Sequence, residues 1–167
     1  MTTKSRSPNR HAFTLIELVV VMLILATLAG LVAYSLGGVM DRYQMNRAIE
    51  TIELFDARAR RQAIRSRRPL ETRIDRGRNL LSIEPSARRS PATFRLPRRV
   101  EIAEIRMGRT TVAGGPLQLG INRHGQSESY AIHLQRGSVQ RWLVVLGTSG
   151  QIVALNDKGE ADAILSL

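Results

Sequence analysis

The apolar and polar positions of this chain follow three patterns in turn. Residues 18–40 carry no formal charge. A helix rises 1.5 Å per residue, so about 20 apolar residues cover the ~30 Å hydrocarbon core of a bilayer. The run therefore predicts a membrane-spanning helix. Its one acid, Glu17, stands about a turn inside the apolar boundary, where an isolated carboxylate costs roughly 2.5 to 3.5 kcal/mol unless it meets a cation. From Met45 onward the spacing becomes amphipathic. Met45, Ala48, Ile49, Ile52, Phe55, Ala59 and Ala63 recur every three or four residues, and Arg47, Glu50, Arg58, Arg61 and Arg65 take the other face. Asp56 on the apolar side and Leu54 on the polar side break the pattern. The helix is expected to bend at Gly37-Gly38 and to end near Arg67, because the residue before Pro69 is biased away from helical geometry.

Beyond residue 68 the period shortens to two. Short strands are expected at 79–84, 92–96 and 100–105, within a stretch rich in Arg, Ser and Pro that is otherwise hard to read. Gly114-Gly115-Pro116 breaks the chain. Strands then follow at 117–122, 129–135, 139–146 and 151–155, joined by Gly-containing turns, and 161–167 is a further strand candidate. Short, evenly spaced strands of this kind predict an antiparallel meander. The expected class is α+β, a long N-terminal helix packed on an antiparallel β-sheet domain. Its expected parts are a leader at 1–12, an apolar transmembrane half at 13–40, an amphipathic half at 41–67 and a β-rich domain at 68–167.

Charge gives the apolar helix a direction. Lys4, Arg6 and Arg10 make residues 1–12 net +3 with no acid, which holds that end in the cytoplasm and sends the C-terminal side across the inner membrane into the periplasm. A cleaved secretory signal has a shorter apolar core and a small-residue cleavage site, so this run is expected to persist as an anchor. A plain signal anchor holding a periplasmic domain is the simpler alternative. The roughly 125 residues left after the anchor suit one modest domain. There is no cysteine, which excludes disulfides and thiolate metal sites. Removing the leader's +3 from the formal +11 leaves +8, and only Lys4 and Lys158 of the 25 cations are lysines.

The basic leader, the string His11-Ala12-Phe13-Thr14-Leu15-Ile16-Glu17-Leu18 and the apolar helix after it resemble the class III signal of type IV pilins and type II secretion pseudopilins. The resemblance implies cutting by prepilin peptidase between Ala12 and Phe13 and methylation of the new Phe13 amine. It also implies that Glu17 pairs with the N-terminal amine of a neighbouring subunit. The family usually has Gly where this chain has Ala12. Leu119-x-Ile121-x-x-x-Gly125, Ile132-x-Leu134, Leu143-Val144-Val145 and Gly147-x-x-Gly150-x-Ile152 are similar to H-type minor pseudopilins and their FimT-like relatives in type IV pili. That likeness implies a subunit near the tip of a periplasmic filament, with other pilins as partners and no cofactor.

Catalytic chemistry finds little footing. His11 lies in the leader, His124 in an expected turn and His133 in an expected strand, and none has neighbours at metal-ligand spacing. Gly147-Thr148-Ser149-Gly150 lacks the spacing of a nucleophile elbow and the lysine of a phosphate loop. Asp157, Glu160 and Asp162 read as a solvated acidic turn rather than a calcium cage. The arginine run is the one feature that admits another function. Arg58, Arg60, Arg61, Arg65, Arg67 and Arg68 lead it, and Arg73, Arg76, Arg78, Arg88, Arg89, Arg95, Arg98 and Arg99 extend it. Such density attracts phosphates by charge, and some FimT-like relatives act as DNA receptors. Helix-dipole complementation, anionic lipid headgroups near the membrane and ion pairs with neighbouring subunits are the competing roles. Phe94 is the one aromatic in the run able to stack on a base.

Overall fold

The computed structural model describes residues 14–84, 91–108, 110–112 and 114–166, with the side chains of 32–37 excepted. The chain forms two compact units, Met1–Val39 and Met40–Leu167. Helix α1 (Leu15–Ser66) runs through both and is assigned as helix across Gly37 and Gly38. Thr14 caps its start, its side-chain oxygen accepting the Glu17 backbone N–H at 3.3 Å. The helix stops one residue before the expected end. Arg67 (φ 52°) takes the left-handed conformation that closes a helix, ahead of Pro69.

In the second unit the buried face of α1 is Met45, Ala48, Ile52, Phe55, Ala59 and Ala63, as the spacing predicts, with Ile49 packed at its margin. That face joins the inner faces of two antiparallel sheets in one core. The first sheet has the order β3-β2-β1-β6, from β1 (Leu70–Asp75), β2 (Leu80–Glu84), β3 (Ala92–Arg95) and β6 (Leu117–Ile121). The second has the order β5-β4-β7-β8-β9, from β4 (Glu101–Met107), β5 (Thr110–Thr111), β7 (Tyr130–Arg136), β8 (Val139–Val145) and β9 (Ile152–Leu155). Phe55 of α1 meets Phe94 of β3 edge-on, ring centres 5.7 Å apart. The class is α+β, as expected.

Three expectations change. β1 was hidden in the arginine-rich stretch, where Leu70, Thr72 and Ile74 alternate inward while Glu71, Arg73 and Asp75 face outward. The simple meander gives way to two sheets. β1, β2 and β3 form one run of hairpins and β7, β8 and β9 another, while β6 crosses back to pair with β1, Thr72 opposite Leu119, and β4 pairs with β7. The strand expected at 161–167 is not found over the described residues 161–166, where helix α2 (Lys158–Leu165) runs to Leu165. Asp157 caps it by accepting from the Gly159 and Glu160 N–H groups. Ala161, Ile164 and Leu165, at helical spacing, pack on Trp142 and Val144 on the outer face of the second sheet.

Candidate assembly segment and basic surface

The N-terminal unit displays its apolar side chains all round. Leu15, Ile16, Leu28 and Leu18, which at 100° per residue point in four different directions, are all more than half exposed. A helix apolar on every side requires an apolar surrounding, either lipid or other helices. Glu17 sits in the first turn, exposed, where a carboxylate favours the positive end of the helix dipole. Ala12 and Phe13, the expected cleavage and methylation residues, lie outside the described residues. Among the described residues no helix is long and apolar enough to cross a membrane.

The arginine run divides into separate populations. Arg58, Arg61 and Arg65 form an exposed stripe on α1 opposite its buried face. Arg58 lies over the Phe94 ring at 5.7 Å, and the Arg61 Nε donates to the Ala57 carbonyl. Arg67 and Arg68, also exposed, follow the helix end. Arg60 departs from the expected set because it is 8% exposed and fully engaged. Its Nε donates to Asp56 Oδ2 at 2.6 Å, its Nη1 to the Gly125 and Gly147 carbonyls at 2.7 Å each, and its Nη2 to Asp56 Oδ1 and Ser127 Oγ. Every guanidinium proton has an acceptor. Such an arginine clamps loops and leaves nothing for an external anion. Arg88 and Arg89 lie outside the described residues.

The clamp also explains why Asp56 sits on the apolar face. The Tyr130 hydroxyl approaches Asp56 Oδ1 at 3.4 Å from β7. Burial, then the Asp56 charge, pushes the Tyr130 phenol far above its ordinary range. Glycines make room for the clamp. At Gly150 (φ 73°) an added Cβ would lie 2.9 Å from Arg60 Cδ, and at Gly147 it would overlap the Ser127 carbonyl.

The described histidines and the acids near the C-terminus are engaged locally. His124 is exposed in a turn, and His133 stacks on Trp142 with ring centres 4.5 Å apart. Asp157 caps α2, and Asp162 pairs with Arg106. Burial raises the Glu104 carboxyl, but hydrogen bonds from Thr111 and Lys158 and the charges of Lys158 and Arg106 outweigh it, so the group lies below the usual carboxylate range. Among the described residues no group of three or more His, Cys, Asp or Glu could hold a metal ion. Two open depressions, about 650 and 550 Å³, flank the 76–79 turn and the start of β1, and neither gathers such a group.

Residues 7–33 match the prokaryotic N-terminal methylation motif. No curated protein matches the chain. Among solved structures it is similar to the minor pseudopilin EpsH from the Type 2 Secretion System of Vibrio cholerae. That likeness has 15% identity and a TM-score of 0.46, and it covers 66% of this chain and 97% of that one. The methylation motif thus heads a long helix, and antiparallel sheets pack on the second half of that helix.

Proposed function

We propose that the chain is a non-enzymatic minor pseudopilin of a type II secretion system. It is held in the inner membrane by residues 13–40 with its C-terminal domain in the periplasm. Prepilin peptidase cleaves it between Ala12 and Phe13, the Phe13 amine is methylated, and the subunit enters a filament with other pilins. The observation that carries this reading is the helix under the methylation motif, apolar on every side and interrupted by a single acid, Glu17, in its first turn. Before assembly lipid covers that surface, and afterwards neighbouring helices do. Glu17 then accepts a neighbour's N-terminal amine, so that two charges costly in an apolar setting neutralise each other. The DNA-binding alternative is weakened by the burial of Arg60 and by an aromatic, Phe94, already engaged by Phe55 and Arg58.

Mass spectrometry of the mature N-terminus, from cells that supply prepilin peptidase, tests the proposal. The expected terminus is a methylated Phe13. A chain that still begins at Met1 would overturn the assembly reading in favour of a plain signal anchor.

A further inference from the structure

A second set of arginines gathers at one end of the Met40–Leu167 unit. The 76–79 turn between β1 and β2 rests on the chain linking β3 to β4. The Asn79 carbonyl accepts the Leu96 N–H at 3.1 Å, and Asn79 Oδ1 accepts the Ile102 N–H at 3.2 Å. Those contacts set the turn that carries Arg76 and Arg78 against the segment that carries Arg95, Arg98 and Arg99, and all five arginines are exposed. The linking chain is in turn fixed to the start of the unit. Arg136 donates through Nη1 to the Arg98 carbonyl and through Nε to Asp41 at 2.7 Å. Asp41 is the residue immediately after Met40, where the uncharged run ends, and exposed Arg42 follows it. The basic cluster is therefore tied, by named contacts, to the point at which the chain leaves its apolar run.

The acids at this end are fewer than the cations. Asp41 is taken by Arg136, Asp75 lies 3.9 Å from Arg78, whose side chain is 80% exposed, and Glu101 is exposed. We propose that Arg76, Arg78, Arg95, Arg98 and Arg99 bind the headgroups of anionic phospholipids in the membrane that receives the apolar helix. The inference rests on the membrane-anchored reading above. Guanidinium groups match phosphate oxygens in geometry and charge. Each arginine near an anionic surface raises its attraction roughly fivefold. The tether at Asp41 keeps the cluster at the surface without a second binding event. The contact would hold the unassembled subunit's domain against the bilayer and be released on extraction into the filament.

Native mass spectrometry of the full chain, released from nanodiscs of equal phosphatidylglycerol and phosphatidylcholine, reads the contact as the ratio of retained lipids. Phosphatidylglycerol should be enriched about threefold or more, and the enrichment should fade as salt rises from about 0.05 to 0.5 M. R76Q/R78Q/R95Q/R99Q should return the ratio to that of the bilayer, while R58Q/R61Q/R65Q on the helix stripe should keep the enrichment. The wild-type salt series holds even where the quadruple variant folds poorly. A chain that enters nanodiscs without enrichment, or whose enrichment is lost only with the helix stripe, overturns this inference alone. So does retention of duplex DNA, in place of lipid, that depends on the same four arginines. A chain that does not enter nanodiscs at all overturns the anchored reading and this inference with it.

Discussion

Asp56 and Arg60, one turn apart on α1, form an ion pair of 2.6 Å with side chains 5% and 9% exposed, in the middle of the helix's apolar face. Two charges there are tolerable because each completes the other's hydrogen bonding and because Arg60 also ties down the Gly125 and Gly147 carbonyls. Removing one partner leaves the other buried and unneutralised. Arg60→Ala and Asp56→Ala are each expected to lower stability by about 3–5 kcal/mol. Urea unfolding of the chain in detergent micelles measures this. The double variant should lose much less than the sum of the two, and additive losses would show that the residues do not act as a pair.

This pair also marks how far sequence patterning reaches. The helical spacing identified the buried apolar α1 positions from Met45 to Ala63, and it placed Arg58, Arg61 and Arg65 on the exposed side. Asp56 looked like an error in the pattern, and Arg60 like one more member of a basic run. Their further partners are distant in the chain, the Gly125 and Gly147 carbonyls for Arg60 and the Tyr130 hydroxyl for Asp56, which no local period reveals. The signal lay in the combination of an acid on an apolar face and a cation four residues later. β1 was missed for another reason: Pro69 and the surrounding arginines masked a regular alternation of Leu70, Thr72 and Ile74. α2 was mistaken for a strand because eight residues allow both periods, and the Asp157 cap decides between them.

Tyr130 should make the fold sensitive to alkali. Its phenol is raised well above its unfolded value of about 10, so the folded chain keeps the proton after the unfolded chain has lost it. The stabilisation it contributes is intact below pH ~10 and is lost as pH rises toward the folded pKa. Tyr130→Phe should cost about 0.5–1.5 kcal/mol near neutrality through the lost hydrogen bond. Above pH ~10 the variant should fall off more slowly than the wild type. Parallel losses in the two proteins, in urea midpoints between neutral and alkaline pH, would refute the assignment.

Glu104 predicts the opposite dependence. Its folded pKa is lowered, so its contribution is present above the unfolded glutamate value of about 4.3 and disappears as pH falls through the folded value. Glu104→Gln should therefore be less stable than the wild type at neutral pH, and the two should converge below pH ~4. A gap in unfolding midpoint that widens on acidification would contradict the Lys158 and Thr111 contacts as its source.

Gly147 should be the most exacting glycine of the fold. A Cβ there would overlap the Ser127 carbonyl and lie 2.6 Å from the Glu128 carbonyl carbon, and both obstacles are backbone. Gly147→Ala is expected to cost on the order of 3–4 kcal/mol by displacing a carbonyl that Arg60 holds. Gly120→Ala in β6 meets nothing within 4 Å and should be neutral or gain up to about 1 kcal/mol. Thermal unfolding of the two variants side by side gives the contrast, and equal effects would mean the loop yields freely.

Glu17 separates assembly from anchoring. Its helix turn is already capped by Thr14, so the carboxylate is not needed to start α1. Glu17→Gln keeps the size and removes the charge. On the proposed reading it leaves membrane insertion and Phe13 methylation unchanged, because the apolar run and the leader are untouched. Filament entry should fall by tenfold or more, since a neighbour's amine would then be buried without a counter-charge at a cost of about 1.4 kcal/mol or more. Crosslinking the membrane and filament fractions measures the partition. Unchanged filament entry would show that the acid serves only the helix N-terminus, and the apolar surface of residues 15–31 would then have to drive assembly without it.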